Sequence, residues 1–432
     1  MRGCWASPES DLFVTGLAQK GSWTLLLVTT DAWHQAVVRA ARAAGGASRL
    51  LGRGQGVAIT GTVLTRLSRG SVDTLAKGRR IALVSGTNGK STTARLLRHA
   101  WSGQGDVALN DDGANLLSGV GHALLASDAE RVVLEVDELA LPEALRRTRP
   151  ELVVLLNLSR DQLDRVGEVS DTRRLWQQAL QETRDFRIVA NADDPMLVAA
   201  APADRTTWVG AGLLWSEDAQ ACPRCAAPVH RLAGDWSCRG CSLARPKTAM
   251  TRHGDLVRVD GVDLQLGLAL PGEAAASNAT LALAAARELG VDSEDALARM
   301  REVTHIGGRY ATGSLDGREI RLLLMKNPAS AASVLALLTE QRRPVVLVLN
   351  AEDADGRDPS WVWDVPFGQL RDRVVVVCGR RAADLSVRLA YADVPHAVAR
   401  DVSAALSLVP SGPCDVIANY TAFSGVSRRL VC

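Results

Sequence analysis

The sequence Gly86-Thr-Asn-Gly-Lys-Ser91 constrains the fold of this chain more than any other feature. It follows a short apolar run, Ile81–Val84, and precedes a segment with helical spacing, Thr92–Trp101. Glycines let the backbone approach a ligand closely, so that its N–H groups can surround phosphate oxygens at the start of a helix. The order strand, glycine-rich loop and helix therefore predicts a nucleotide-binding α/β domain.

Two side chains of this loop have expected roles. Lys90 would reach the terminal phosphates, and the Ser91 hydroxyl would ligate Mg²⁺. The strict phosphate-loop pattern has a further glycine at position 84, where this chain has Val84, so the match is to a shorter loop. A plain turn between a strand and a helix remains the alternative at this point.

Apolar runs alternate with helical segments on both sides of residue 310, which predicts parallel sheets covered by helices. The predicted strands are 81–84, 131–136, 152–156, 186–190, 320–325, 344–350, 374–378 and 415–418. Residues 1–30 show no clear hydrophobic pattern. The composition and spacing of Trp33–Leu51 predict a basic, Ala-rich amphipathic helix. We predict three parts: an extension and helix over 1–50, a central domain over 51–310 and a C-terminal α/β domain over 311–432.

Polar residues follow two of the predicted strands. Glu135 and Asp137 end the strand Val132–Val136 on one face, where carboxylates of a parallel sheet meet ligands, so Glu135 is predicted to bind the metal ion. Asn191–Pro195 follows another strand. It either contacts the nucleotide or forms an Asx turn before a helix.

Two CxxC pairs, twelve residues apart, interrupt the alternation between residues 215 and 248. Four thiolates in this arrangement complete the tetrahedral shell of a structural Zn²⁺ in a zinc ribbon, with no open position for catalysis. Two disulfides or free thiols are the alternative. The predicted ligands are Cys222, Cys225, Cys238 and Cys241.

The composition excludes some classes of protein. Lys and Arg number 50 against 48 Asp and Glu, so the charge does not suit a general nucleic-acid binder. No apolar run approaches the roughly 18 residues of a membrane span, and residues 1–30 lack a secretory signal. We expect a cytoplasmic protein without a transmembrane segment.

Several motifs together resemble the Mur ligase family. They are Ser85–Ser91, Asn110–Asn115, Leu134–Glu138, Arg160–Arg165 and Asn191–Pro195. The cysteine insert and the stretch Asn350–Trp361 resemble more narrowly the MurT-type subgroup, the ligase-like subunits of lipid II isoglutaminyl synthases. The resemblance implies a Mur ligase central ATPase domain with a zinc-ribbon insertion, and a C-terminal Rossmann-like domain.

The resemblance also implies an activity and partners. The chain would use ATP and Mg²⁺ to phosphorylate the D-Glu α-carboxylate of the lipid II stem peptide, and then amidate it to D-isoglutamine. Ammonia would come from a separate GatD-like glutaminase in a heterodimer, at the inner face of the membrane. Asp358 of the Asp355–Asp358 motif would complete that partner's catalytic site, whereas local sequence alone also suits a turn cap.

The family pattern assigns further residues to the nucleotide. Gly308-Arg309 matches a phosphate-contacting pair, and Lys326–Pro328 matches a segment facing the active site. Ala275 replaces an asparagine of the family pattern, and Gln162 replaces a histidine. The expected nucleotide-binding residues are Gly86, Thr87, Asn88, Gly89, Lys90, Ser91, Thr92, Asn278 and Arg309.

Two other functions remain possible from the sequence. One is a stand-alone ligase of the folylpolyglutamate synthase type, which shares the loop and the sheet. The cysteine insert counts against this alternative. The other is a zinc-ribbon nucleic-acid module joined to an ATPase. Few aromatic residues accompany its arginines, which disfavours nucleic-acid binding.

Overall fold

The computed structural model describes residues 12–19, 22–50, 56–68, 70–110, 114–161, 168–232, 234–339, 342–352 and 355–431. Gln162 lies outside these ranges. Within the described part, no helix has the length and apolarity needed to cross a membrane.

The N-terminal region forms a hairpin and three helices. The strands are β1 (Leu12–Gln19) and β2 (Ser22–Thr29), and the helices are α1 (Thr30–Leu50), α2 (Val57–Leu67) and α3 (Ser71–Ala76). No strand was predicted within residues 1–30, because neither segment alternates strictly between apolar and polar residues. Helix α1 packs through Val37 and Ala41 on Leu64 of α2 and on Leu125.

The central domain is built on a nine-stranded sheet with the order β13-β12-β11-β8-β7-β6-β3-β5-β4. Seven strands are parallel: β3 (Arg80–Ser85), β4 (Val107–Leu109), β5 (Arg131–Val136), β6 (Leu152–Leu155), β7 (Arg187–Asn191), β8 (Thr206–Gly210) and β11 (Met250–His253). Strands β12 (Leu256–Val259) and β13 (Val262–Gln265) extend it in antiparallel fashion. Between β8 and β11, β9 (Val229–Leu232) and β10 (Asp235–Cys238) form a separate hairpin.

Helices cover both faces of this sheet, because the side chains of its buried strands alternate between two apolar cores. One core contains Trp101 and the other contains Trp176, both fully buried. The helices are α4 (Lys90–Trp101), α5 (Leu117–Ala126), α6 (Leu141–Thr148), α7 (Val169–Glu182), α8 (Pro195–Ala200), α9 (Glu273–Glu288) and α10 (Ser293–Arg301).

The C-terminal domain has a second sheet, with the order β14-β15-β19-β16-β17-β18. Its strands are β14 (Tyr310–Leu315), β15 (Arg318–Leu324), β16 (Val345–Val348), β17 (Val375–Cys378), β18 (His396–Val398) and β19 (Cys414–Ala418), and all except β14 run parallel. The helices are α11 (Pro328–Leu338), α12 (Ala382–Tyr391), α13 (Val402–Leu408) and α14 (Tyr420–Ser427). The predicted architecture, a parallel central sheet followed by an α/β domain, is confirmed.

Candidate functional site

The predicted phosphate loop joins the buried end of β3 to the start of α4. Gly86 and Gly89 have φ angles of 147° and 89°, which favour glycine. A Cβ atom at Gly89 would lie 2.2 Å from Oδ1 of Asn278, so any other residue there would displace the Asn278 side chain. The loop therefore lies against helix α9, which carries Asn278.

Lys90 is the first residue of α4, and its side chain is 6% exposed. Its Nζ donates to the Gly86 carbonyl at 2.6 Å and to Glu138 Oε2 at 2.8 Å. Burial alone lowers the pKa of Lys90, but the carboxylates of Glu138 and Glu135 outweigh burial and raise that pKa above its usual value. The lysine is therefore held as a cation inside the loop.

Glu138 is a site residue that the sequence analysis missed. It follows the strand β5 by two residues, and its backbone carbonyl accepts from Trp176 Nε1 at 2.8 Å. Its position just beyond the predicted metal ligand was the available signal, but a carboxylate after a strand is common and does not by itself indicate a partner for Lys90.

Glu135 lies within β5 with only 2% of its surface exposed. Its backbone N–H and C=O both bond the side-chain amide of Asn110, at 2.7 Å each. Its Oε1 has no hydrogen-bond partner among the described residues. An orphaned buried carboxylate oxygen beside Lys90 suits a cation. Asp137 instead accepts from the Leu139 N–H and caps a turn.

The segment that follows β6, Asn157–Asp161, holds the loop from the other side. The side-chain amide of Asn157 accepts from the Asn88 N–H and donates to the Asn88 carbonyl, both at 3.0 Å. Ser159 N–H donates to Thr87 Oγ1 at 3.0 Å. Thr87 through its hydroxyl and Asn88 through its backbone thus fix the loop to this segment.

The C-terminal domain also reaches this loop. Lys326 Nζ donates to Asp161 Oδ2 at 2.5 Å and to the Thr87 carbonyl at 3.4 Å. Asn327 caps α11 and donates from Nδ2 to Asn88 Oδ1 at 3.1 Å. The start of α11 therefore closes over the phosphate loop.

Two pockets flank the loop. The first is lined by Asn88, Gly89, Asn157, Asn191, Trp215 and Asn278, among others. The second lies between the domains and is lined by Thr92, Ala275, Asn278, Arg309 and apolar residues. The structure thus brings together Gly89, Asn278 and Thr92, and it places Arg309 at the second pocket. Ser91 is half-buried at the start of α4.

The stretch Asn191–Pro195 forms the predicted turn before a helix, and its contact with a nucleotide stays a prediction. Asp194 caps α8 by accepting from Met196 N–H at 2.8 Å, and it also accepts from Leu158 N–H at 2.7 Å. Burial raises the pKa of Asp194 to about 6, despite these two hydrogen bonds. Asn191 meanwhile lines the first pocket.

The four predicted cysteine ligands converge. Their Sγ atoms all lie within 4.8 Å of one another, with separations of 3.6 Å for Cys222 and Cys241 and 3.4 Å for Cys225 and Cys238. Disulfide sulfurs would be about 2.05 Å apart. Sulfurs around a tetrahedral Zn²⁺, each about 2.3 Å from the ion, would be about 3.8 Å apart. The cluster therefore fits a metal better than disulfides.

The insert that carries the cysteines is anchored beside the first pocket. Trp236 Nε1 donates to the Ala192 carbonyl at 2.9 Å, and Arg245 Nε pairs with Asp193 Oδ1 at 2.6 Å. Asp193 Oδ2 accepts from Gly212 N–H, which lines that pocket. The cluster thus supports the pocket wall without entering it.

Asp358 lies on the surface of the C-terminal domain, remote in sequence from the loop. Its Oδ1 and Oδ2 accept from the backbone N–H and hydroxyl of Ser360, both at 2.8 Å. Its neighbour Asp355 is 7% exposed and accepts from the backbone and hydroxyl of Thr421. Asp358 is thus a turn cap that remains accessible to a partner, whereas Asp355 ties the motif to α14.

Comparison with known proteins identifies both domains. Residues 84–286 match the model of the Mur ligase middle domain, and residues 324–423 match that of the MurT ligase C-terminal domain. The MurT subunit of lipid II isoglutaminyl synthase from Streptococcus pneumoniae is 27% identical over 411 residues, which cover 85% of this chain and 91% of the relative. The corresponding subunit from Staphylococcus aureus is 27% identical over 428 residues, covering 91% and 97%.

The fold has relatives among solved structures. A pseudomurein peptide ligase type C from Methanothermus fervidus superposes with a TM-score of 0.68 at 15% identity, covering 85% of this chain and 82% of that one. At this identity the similarity establishes the fold alone. The two matched domains, together with the two MurT subunits aligned over most of the chain, show that the chain belongs to the Mur ligase family and carries a C-terminal domain of the MurT type.

Proposed function

We propose that this chain is the ATP-dependent ligase subunit of a lipid II isoglutaminyl synthase. It would phosphorylate the D-Glu α-carboxylate of the stem peptide and convert it to the amide of D-isoglutamine. The observation that carries this proposal is the meeting of the phosphate loop, the buried Lys90–Glu138 pair and the MurT-type domain at Lys326. A stand-alone folylpolyglutamate synthase-type ligase would not explain that C-terminal domain.

The reaction divides into two steps that the loop can support. A carboxylate oxygen attacks the terminal phosphorus of ATP, which releases ADP and leaves an acyl phosphate. Ammonia then attacks the acyl carbon, and phosphate leaves as the C–N bond forms and a proton is lost. Lys90, held as a cation, offsets negative charge on the transferred phosphoryl group.

Mg²⁺ would be held by Glu135 and Ser91. The orphaned Oε1 of Glu135 supplies a buried oxygen ligand, and Ser91 is next to Lys90 at the helix start. The ion would neutralise phosphate charge when bound. The pockets on either side of Asn278 offer space for the rest of the nucleotide, with Arg309 toward the C-terminal domain.

Ammonia would come from a separate GatD-like glutaminase in a heterodimer. Asp358 is exposed and its carboxylate is already oriented by Ser360. A Cys–His glutaminase needs a third group that orients the histidine and stabilises its charged form. We propose that Asp358 supplies that group across the subunit interface, with the complex working at the cytoplasmic face of the membrane that holds lipid II.

The proposed activity predicts products that a single assay separates. The complex supplied with glutamine, ATP, Mg²⁺ and lipid II should form glutamate, ADP and amidated lipid II together. If the chain were a folylpolyglutamate synthase-type ligase, it would instead join glutamate to tetrahydrofolate. Amidated lipid II would then not form.

Glu135→Gln should weaken Mg²⁺ binding while preserving shape. The amide keeps one oxygen but loses the charge that favours a divalent cation. We expect the half-saturating Mg²⁺ concentration for amidation to rise about tenfold, a cost of about 1.4 kcal/mol. Asp137→Asn, at the neighbouring turn cap, is the matched control and should leave the Mg²⁺ titration close to that of the wild type. An unchanged titration for Glu135→Gln removes this residue from the metal site.

We further propose that the four-cysteine cluster holds one structural Zn²⁺. All four thiolates are used as ligands, so the ion would contribute folding energy and no chemistry. Cys222→Ser should lower the zinc content and the melting temperature before it changes amidation. Metal analysis and thermal unfolding measure both, and Cys378→Ser, a buried thiol outside the cluster, is the control for zinc content. Metal-free protein with paired cysteines would contradict the proposal.

A further inference from the structure

A series of polar contacts runs from the first pocket toward Asp358. Trp215 lines that pocket, and its Nε1 donates to Asp218 Oδ2 at 2.8 Å. The Asp218 side chain is only 5% exposed. Its two oxygens also accept from the backbone N–H and the Nε of Arg160, at 2.9 and 2.5 Å. Arg160 is therefore fixed on one side by a buried carboxylate at the pocket wall.

The other side of the Arg160 guanidinium reaches the C-terminal domain. Its NH1 lies 3.2 Å from Asp364 Oδ2. Asp364 ends the short 3₁₀ helix Ser360–Asp364, and Ser360, at the start of that helix, holds the Asp358 carboxylate through two hydrogen bonds. This five-residue helix thus separates the ion pair from Asp358.

The middle of this helix is packed in the core of the C-terminal domain. Val362 is 1% exposed, and Arg388 donates to the carbonyls of Val362 and Val365 at 3.2 and 2.7 Å. The helix is therefore a rigid connection between Asp364 and Ser360.

Arg160 also adjoins the phosphate loop through its own segment. Asn157 and Ser159, just before it, bond Asn88 and Thr87, and Asp161, just after it, pairs with Lys326. Nucleotide in the loop or in the first pocket would therefore act on the backbone that carries Arg160.

We call the contacts of Trp215, Asp218, Arg160 and Asp364 the Arg160 relay.

We propose that the Arg160 relay links nucleotide occupancy to the placement of Asp358, so that the glutaminase partner works fastest when nucleotide is bound. Arg160 is then a positioning residue that touches neither reacting group. The inference rests on the proposed function, because it assumes that Asp358 completes the partner's site. The link has a chemical purpose, since ammonia released before the acyl phosphate forms would be lost to solvent.

Asp364→Asn tests the relay without leaving the Arg160 guanidinium unpaired, because Arg160 keeps its ion pair with Asp218. Glutamate release from glutamine by the co-purified complex is measured with and without a non-hydrolysable ATP analogue and Mg²⁺. The wild-type complex should be stimulated by the analogue. In Asp364→Asn we expect that stimulation to fall by about two- to fivefold, the range for a half-exposed ion pair.

Two further variants separate positioning from general damage. Asp364→Glu keeps the carboxylate and should restore part of the stimulation. Asp393→Asn removes a surface ion pair with Arg371, 3.1 Å apart on the same domain, and should be stimulated like the wild type. Gel filtration confirms that each complex is assembled.

The relay is wrong if Asp364→Asn is stimulated as strongly as the wild type, or if nucleotide does not stimulate the wild-type complex. Either result leaves the proposed function intact, because amidation and the basal effect of Asp358 are measured separately. Unaltered basal glutamine hydrolysis in Asp358→Asn would instead remove the premise that Asp358 serves the partner.

Discussion

Lys90→Ala is expected to abolish ATP-dependent amidation by the assembled complex. The ammonium group is the buried cation of the phosphate loop, 2.6 Å from the Gly86 carbonyl. Removing a charged donor that stabilises the transferred phosphoryl group costs about 10² to 10³ in rate. Amidated lipid II is measured by mass spectrometry, with ADP release measured in the same reaction.

Loss of folding must be separated from loss of chemistry in this variant. Lys90→Ala leaves Glu138 buried without its partner, and breaking a buried pair costs about 3–5 kcal/mol. The double variant Lys90→Ala/Glu138→Gln removes that unpaired charge and should recover much of the lost thermal stability. It should remain inactive, because the phosphate loop still has no cation.

Lys77→Ala is the matched control, since Lys77 is an exposed lysine at the end of α3. It should amidate lipid II at the wild-type rate. Normal amidation by a folded Lys90→Ala/Glu138→Gln protein would contradict the assignment of the nucleotide site.

Asp358→Asn should sharply reduce glutamine hydrolysis by the partner while the complex stays assembled. An amide cannot stabilise a charged histidine, and the equivalent change in a serine protease triad costs about 10⁴ in rate. Asparagine can still accept the Ser360 N–H, so the turn should keep its shape. Glutamate release is measured with glutamine alone, and amidation is measured with added ammonium chloride.

Ammonium chloride should restore part of the amidation in Asp358→Asn, because the nucleotide site is untouched. Ser360→Ala is the control for the turn, since it removes the hydroxyl bond and keeps the carboxylate. It should retain most of the glutaminase activity. Wild-type glutamine hydrolysis in the assembled Asp358→Asn complex would leave Asp358 as a turn cap only.

The parts of the site that were predictable from sequence are local in the chain. The phosphate loop combines the end of a strand, two glycines and the start of a helix within ten residues. Each CxxC pair places two thiolates where one metal ion can bind them. The conformations of Gly86 and Gly89 and the convergence of the four cysteines follow from those short patterns.

The contacts that sequence could not supply are long-range. Glu138 joins Lys90 across 48 residues, and Arg160 joins Asp364 only because two domains meet. Such pairs depend on how the domains pack, and a lone Arg or Asp has no distinguishing pattern. The strand β4 was missed because three residues carry no periodicity, and the hairpin β1–β2 was missed because its strands do not alternate strictly between apolar and polar residues.

The most direct test of the proposed reaction follows the amide nitrogen. The purified two-subunit complex is given lipid II, ATP, Mg²⁺ and glutamine with heavy nitrogen in its amide. We expect the heavy nitrogen to appear on the α-carboxyl carbon of D-Glu in the stem peptide, with an equal amount of ADP, and only when ATP is present. Heavy nitrogen that never enters lipid II, or that enters without ATP, would contradict the proposed reaction.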